Sequence, residues 1–379
     1  MVAAPELQYN VDVSQSKEMY RDVMIVNPDG AVSSNSRLAS FKIEGTQSQL
    51  IHPETVSVCG TFEGAANSNP FNSLASIVDS VTVYTQSGQT VSHQPQFWRL
   101  HSVLSDLTLD QSHADAAWQQ GLDLRGNGTT LQTAQLAARQ FSIPLTVSGL
   151  FSSQKLICPA DFGGLRVQVR FRAPIECMYG SADSKSYTLK DVHLKYEWTD
   201  ISRDPKMLAV YSKPTRMYHF LQQEVYESAV QASATVARVP CPSRMRSIRK
   251  ATLAFFRKGT GSEPLAEIRT SLGITALQSR VGTQLFPQDK IRGYSNLYDV
   301  TQSAYGGALR GFLTRERYEG QRFVAAVPYS NLKTHISGMD PRDAVLELFA
   351  DVTGQADTTA VVFLQGDAVW DSASQQVDQ

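Results

Sequence analysis

The side chains that could do chemistry are seven histidines and a few carboxylates, and their spacing argues against a metal centre or an acid–base pair. No histidine lies at ligand spacing from another histidine or from a cysteine. His93 and His101 come closest, but a predicted strand and loop separate them, so we expect surface or interface positions. Asp106 and Asp110 could exchange protons with a substrate. Their place at a predicted helix end and in the following loop favours a solvated turn. The histidines are at positions 52, 93, 101, 113, 193, 219 and 335.

No motif of a catalytic or nucleotide-binding site occurs in the chain. The patterns G-x-S-x-G, H-E-x-x-H and G-x-x-x-x-G-K-[ST] are missing, as is a G-x-G-x-x-G ahead of a helix. The glycines of RKGTGSEP, residues 257–264, lack the following lysine and helix of a phosphate loop. We therefore predict a non-enzymatic protein with no catalytic residues, no metal site and no cofactor.

The four cysteines are far apart and follow no C-x-x-C spacing, so the sequence indicates neither a zinc site nor a disulfide framework. We expect them to be small core residues in a reducing compartment. The first residues, MVAAPELQYN, do not resemble a secretion signal, and no apolar stretch approaches the length of a membrane helix. We therefore expect a soluble chain. The cysteines are Cys59, Cys158, Cys177 and Cys241.

Charge is balanced over the 379 residues, with 35 Lys and Arg against 36 Asp and Glu, so bulk attraction to nucleic acid is not expected. Residues 238–258 are the most basic stretch. They could contact a genome or an acidic neighbour, or they could be a solvated strand face whose charges flank the apolar string ATLAFF. We favour the strand face or a salt bridge between subunits, and we predict no sequence-specific binding of nucleic acid. The charges are Arg238, Arg244, Arg246, Arg249, Lys250, Arg257 and Lys258.

The elements that would position any site are mainly short strands. In GLRVQVRF, residues 164–171, apolar side chains alternate with arginine and glutamine, which is typical of a half-buried antiparallel strand. Such runs are rich in β-branched and aromatic residues and are separated by turn residues. They predict an all-β sandwich or barrel in each half of the chain. The other runs are at residues 39–44, 56–62, 81–83, 192–198, 216–230, 246–257, 273–281, 322–329, 344–351 and 358–366.

Helical periodicity is rare, and it occurs at corresponding places in the two halves. The spacing of apolar residues predicts helices in FWRLHSVLSDL, which begins at Phe97, and in YSNLYDVTQSAY, which begins at Tyr294. Ser295 is a candidate N-cap for the second helix. The apolar positions of the two helices match at a constant offset of 197, and later strands follow in the same order with a drifting offset. This order indicates a domain-scale repeat, and residues 201–216 are the candidate junction.

Two longer stretches resemble a known family. The first is IPLTVSGLFSSQKLICPADFGGLRVQVRF, residues 143–171, and the second is CPSRMRSIRKATLAFFR, residues 241–257. They are similar to segments of the double jelly-roll major capsid proteins of the adenovirus and tectivirus lineage, which include proteins of virophages, polinton-like elements and adintoviruses. The resemblance covers about residues 36–370. It implies two tandem eight-stranded jelly-roll barrels with short helices in the loops.

The resemblance also implies a function. It suggests a major capsid protein whose homotrimers form pseudo-hexagonal capsomers of an icosahedral virion, with neighbouring capsomers and minor capsid and penton proteins as partners. It would reside in the virion capsid and, during assembly, inside the host cell, and an underlying membrane is left open. We expect an N-terminal arm at 1–35, jelly rolls at 36–205 and 206–372, and a C-terminal tail at 373–379.

A separate hypothesis concerns the N-terminal arm, residues 1–35, which is acidic. We expect it to lie beneath the barrels and tie neighbouring capsomers together, so that deletion of residues 1–30 would leave trimers but impair closure of the shell.

A carbohydrate-active enzyme or a lectin built from tandem jelly rolls is the alternative. Such a site would need tryptophans clustered with acidic residues. Here the tryptophans are scattered, and most fall at positions that should face a core. They are Trp98, Trp118, Trp198 and Trp370.

Overall fold

The computed structural model describes residues 20–30, 32, 36–65, 69–70, 73–108, 138–147, 149–179, 185–211, 216–257, 268–305, 318–320, 322–329, 338–341, 344–354 and 357–378. Within these ranges the chain folds into two antiparallel sandwiches with the same order of strands. Each sandwich has eight principal strands, which are numbered β1 to β8 and β9 to β16.

The first sandwich has the jelly-roll arrangement. One sheet has the order β1-β8-β3-β6 and the facing sheet has the order β2-β7-β4-β5. A short strand, Gln49–Ile51, also pairs with β8. The strands are β1 (Tyr20–Val26), β2 (Leu38–Ile43), β3 (Ser57–Gly64), β4 (Val78–Thr85), β5 (Thr90–Gln94), β6 (Arg139–Pro144), β7 (Leu165–Phe171) and β8 (Tyr187–Asp200).

The second sandwich repeats this plan strand for strand. Its sheets have the orders β9-β16-β11-β14 and β10-β15-β12-β13, which are the first orders with eight added to each number. The predicted fold of two tandem eight-stranded jelly rolls is therefore confirmed. The strands are β9 (Met217–Val230), β10 (Val236–Cys241), β11 (Ile248–Arg257), β12 (Ile274–Val281), β13 (Gln284–Arg292), β14 (Ala325–Pro328), β15 (Leu346–Val352) and β16 (Thr358–Asp371).

Alternation of side chains explains why these segments form strands. In β7 the residues at alternate positions, from Leu165 to Phe171, are buried while the arginines between them are exposed. Pro144 ends β6, and Pro159 begins a 3-10 turn, Pro159–Phe162, that leads into β7. Gly163 and Gly164 then take positive φ angles of 64° and 106°, which glycine adopts without strain.

Helices accompany the strands in the described ranges. Helices α1 (Phe97–Thr108) and α4 (Tyr294–Ala304) each follow the fifth strand of their sandwich, as the repeat predicted. The expected N-cap at Ser295 was wrong, because α4 begins one residue earlier, after Gly293, and has no side-chain cap. Helices α2 (Pro174–Cys177) and α3 (Pro205–Tyr211) are short, and α3 lies within the predicted junction.

Strand β1 lies inside the stretch expected to be an arm. It pairs along its whole length with β8, from Tyr20 opposite Asp200 to Val26 opposite Leu194. Deleting residues 1–30 would therefore remove a strand of the first sheet. A deletion that ends before Tyr20 is the one that isolates any contribution of the preceding residues. No helix in the described ranges is long and apolar enough to span a bilayer.

Candidate functional surfaces

The histidines considered for chemistry are held apart in different environments. His93 lies on β5, where its Nδ1 is 2.8 Å from the hydroxyl of Thr82 on β4. His101 lies on α1, where it is buried and its ring stacks on Phe97 with centroids 5.7 Å apart. Asp110 lies outside the described residues, and only the backbone of Asp106 falls within them. In the part of the chain that the structure describes, no three His, Cys, Asp or Glu side chains form a group able to hold a metal ion.

All four cysteines are buried with free thiols, as the sequence predicted. Burial raises the pKa of Cys177 to about 12, and it also raises the pKa values of Cys158 and Cys241. A thiol must lose its proton to act as a nucleophile. These cysteines are therefore packing residues.

The basic stretch of residues 238–258 is largely paired within the chain. Arg238 and Arg280 both contact the carboxylate of Glu347, and Arg249 reaches Asp367 at 2.6 Å. Further along the stretch, Arg246 reaches Asp378 at 2.7 Å, and the ammonium of Lys250 lies 3.5 Å from the centroid of the Tyr305 ring. These contacts favour a paired strand face over a surface held open for nucleic acid.

The most elaborate contact surface in the described residues is the joint between the two jelly rolls. The connection from β6 to β7 provides one side of it. Gly149 donates a backbone hydrogen bond to Leu221 of β9 at 2.7 Å, and the backbone N–H of Leu221 donates to the Ser152 hydroxyl at 2.8 Å. Gly149 has a φ of 73°, and a Cβ there would come within 2.8 Å of the Ser92 hydroxyl on β5, so the position favours glycine.

A buried polar cluster lies further along this joint. Asp161 of the first jelly roll accepts a hydrogen bond from the Tyr218 hydroxyl and pairs with Arg216 at 2.8 Å. Burial raises the pKa of Asp161, although Tyr218 and Arg216 oppose the rise. Burial also opposes the charge on Arg216, but Asp161 and the neighbouring Tyr218 outweigh it and raise the pKa of the guanidinium. The cluster links the two barrels through charges that depend on each other.

Aromatic rings close the joint beside this cluster. Trp370, near the end of β16, is fully buried and stacks on Phe162 with centroids 5.2 Å apart. Tyr218, which pairs with Trp370 across β9 and β16, also contacts Phe162, with ring centroids 5.3 Å apart. As a result, the end of β9 at Tyr218 and the end of β16 at Trp370 belong to the hydrophobic core of the first barrel. The opposite ends of both strands belong to the core of the second barrel.

Helix α1 contributes to the joint from the other direction. Its Trp98 meets Phe256 of β11 edge to face at 6.0 Å, and its Arg99 pairs with Glu227 of β9. Arg269 of the second barrel donates to the Ser102 carbonyl at 3.4 Å. Most of the described side chains of the helix are buried, because the first barrel covers one face and the second barrel covers the other. The two jelly rolls are thus packed into one body.

The burial of His101 in this helix gives a testable pH dependence. Burial lowers its pKa to about 4, so the folded chain resists a proton that the unfolded chain takes up near pH 6.5. Stability should therefore fall as the pH drops from about 7 to 4, and the His101 share should be ~2 kcal/mol at pH 5. In urea unfolding at fixed protein concentration, the free energy of unfolding of the unaltered chain should be lower at pH 5 than at pH 7.5. In His101→Phe this difference should be smaller by ~2 kcal/mol. An unchanged difference would show that His101 does not carry it.

Two of the comparisons with known proteins found nothing. No protein-family model matches the chain, and no curated protein matches it by sequence.

Solved structures match over nearly the whole length. The PBCV-1 virus capsid has a TM-score of 0.66 at 9% identity and covers 98% of this chain and 99% of its own. The Faustovirus major capsid protein has a TM-score of 0.63 at 6% identity, covering 96% and 93%. The mavirus major capsid protein has a TM-score of 0.54 at 10% identity, covering 100% and 94%. The chain therefore has the double jelly-roll fold of viral major capsid proteins.

Proposed function

We propose that the chain is a major capsid protein whose homotrimers form the pseudo-hexagonal capsomers of an icosahedral virion. The observation that carries the proposal is the pair of equivalent jelly rolls joined as one body through α1 and the β6–β7 connection. Three copies of such a two-lobed chain around a threefold axis present six similar lobes, and a six-lobed tile packs into a sheet or shell.

The joint between the barrels suits this role. Closely packed protein interiors transmit strain instead of absorbing it, so the angle between the lobes should be held nearly constant. A fixed angle is what a tile needs if it is to meet six neighbours. The polar cluster around Asp161 and the stacked rings of Trp370 and Phe162 provide that rigidity.

Partners and location follow from this proposal. The trimer would contact neighbouring capsomers and minor capsid and penton proteins in the virion capsid, after assembly inside a host cell. We propose jelly-roll domains close to 20–201 and 216–371, which differ from the boundaries expected from the sequence chiefly by including β1. Sequence-specific binding of nucleic acid is not part of the proposed function, because the basic side chains named above pair within the chain.

A structural and non-enzymatic role is also part of the proposal. The alternative, a tandem jelly-roll carbohydrate-active enzyme or lectin, needs exposed aromatic rings beside carboxylates. Trp98 and Trp370 are instead buried in the joint between the barrels, and Trp198 is partly buried. Trp118 lies outside the described residues.

Mass measurement in solution separates the two functions. By size-exclusion chromatography with light scattering, a capsomer should show three times the 41.7 kDa mass of one chain. A monomer that binds glycans would support the lectin or enzyme, and it would overturn the capsid proposal.

A further inference from the structure

The two jelly rolls are equivalent in fold but not in exposure. Within the chain, β5 and α1 of the first barrel contact β9 of the second barrel. The equivalent elements on the outer sides of the molecule are β13 and α4 on the second barrel and β1 on the first. Among the described elements, none of the opposite barrel packs extensively against these.

The fifth strands show the difference clearly. In β5, three of five residues are buried, and Ser92 lies against the β6–β7 connection where it meets β9. In β13, seven of nine residues are exposed, including Leu285 at 43%. The fifth strand is thus covered in the first barrel and exposed in the second.

The helices show it as well. At the constant offset of 197, Trp98 and Arg99 of α1 correspond to Ser295 and Asn296 of α4. The first two are buried against the second barrel, while Ser295 and Asn296 are exposed. Helix α4 is buried on one side, at Leu297 and Thr301, by its own barrel. Its opposite side corresponds to the side of α1 that the second barrel covers.

The first strands complete the set. Strand β9 has buried side chains along its length, among them Tyr218 and Phe220 in the joint. In β1, the residues from Arg21 to Ile25 are all exposed. They include Val23, Met24 and Ile25, whose exposed fractions are 46%, 38% and 58%. Side chains alternate along a strand, so apolar groups are bare on both faces of β1.

We propose that β1 of one copy packs against β13 and α4 of a second copy, in the arrangement by which β9 packs against β5 and α1 within each chain. This inference rests on the proposed function and assigns the surfaces that build the trimer. Because the two surfaces differ, the contact is head-to-tail, and a head-to-tail contact with the right rotation closes into a ring. The helix brings a smaller side chain to this contact than to the internal joint, since Ser295 stands where Trp98 stands in α1.

Two single variants and their mixture test the head-to-tail contact. Ile25→Asp damages the β1 surface alone, and Leu285→Asp damages the β13 surface alone. Each should be monomeric where the unaltered chain is trimeric, with trimer formation weakened about tenfold or more. Mixed in equal amounts, the two variants should form a two-chain species and nothing larger. The intact β1 surface of Leu285→Asp can bind the intact β13 surface of Ile25→Asp, and the two surfaces that remain are both damaged. Val210→Asp, at a residue of α3 that is 55% exposed, is the matched control and should remain trimeric.

The outcomes separate this inference from the proposed function. If the unaltered chain is monomeric, the capsomer proposal itself fails. If the unaltered chain is trimeric and both variants are trimeric too, the capsomer stands and the assigned surfaces are wrong. Variants that are monomeric alone but give no two-chain species when mixed would overturn the head-to-tail contact. Circular dichroism confirms folding, and Ile25→Ser replaces Ile25→Asp if the charged variant does not fold.

Discussion

Trp370→Ala should destabilise the chain by about 3–5 kcal/mol, the range for removing a large aromatic side chain from a core. Trp370 is fully buried at the joint, so the substitution opens a cavity under Phe162 and weakens the contact between the barrels. Chemical denaturation at fixed protein concentration measures the loss.

Trp370→Phe is the matched control for this prediction. The indole N–H of Trp370 is buried without a hydrogen-bond partner in the described part of the chain, so phenylalanine keeps the stacking and leaves no donor unsatisfied. It should cost far less than alanine. Equal losses from the two variants would mean that the stacked ring contributes little to the joint.

Asp161→Ala should cost a similar amount, about 3–5 kcal/mol, for an electrostatic reason. The side chains of Asp161 and Arg216 are only 8% and 13% exposed, so removing the carboxylate leaves a guanidinium charge in the joint without its partner. The Tyr218 hydroxyl loses its acceptor at the same time.

A double variant distinguishes the missing partner from general damage to the joint. Asp161→Leu combined with Arg216→Met removes both charges, and apolar replacement of a buried pair is often close to neutral. The double variant should therefore be more stable than Asp161→Ala. If it is less stable, the cluster acts through shape and not through the balance of its charges.

The sequence predicted the fold well where side chains alternate in a regular pattern. Strands such as β7 and β2 have a buried face that only one register satisfies, so the apolar pattern is enough to find them. The cysteines were also correctly predicted to be core residues, because small apolar residues have few other uses.

Strands β1 and β13 were missed for a physical reason. Their side chains are largely exposed in the single chain, so no alternation marks them. The apolar run at residues 23–26 lies in an acidic stretch that suggested an arm. Exposed strands whose cover lies outside the chain cannot be found from a pattern of self-burial.

The joint between the barrels was only partly predictable. The β6–β7 connection lies within residues 143–171, which carry the family resemblance, but nothing in that stretch indicates that it contacts β9. The contacts of Gly149 with Leu221 and of Asp161 with Arg216 join residues more than fifty positions apart. Such pairing depends on how two folded barrels meet, which local sequence does not determine.

Two equivalent, firmly joined jelly rolls should allow three chains to form a six-lobed, pseudo-hexagonal trimer. Electron microscopy of the isolated trimer, reconstructed without imposed symmetry, tests it most directly. We expect six similar lobes in a ring, alternating between first and second barrels, with β1 of each chain against β13 of the next. Three separated pairs of lobes, or barrels whose angle varies from chain to chain, would contradict it.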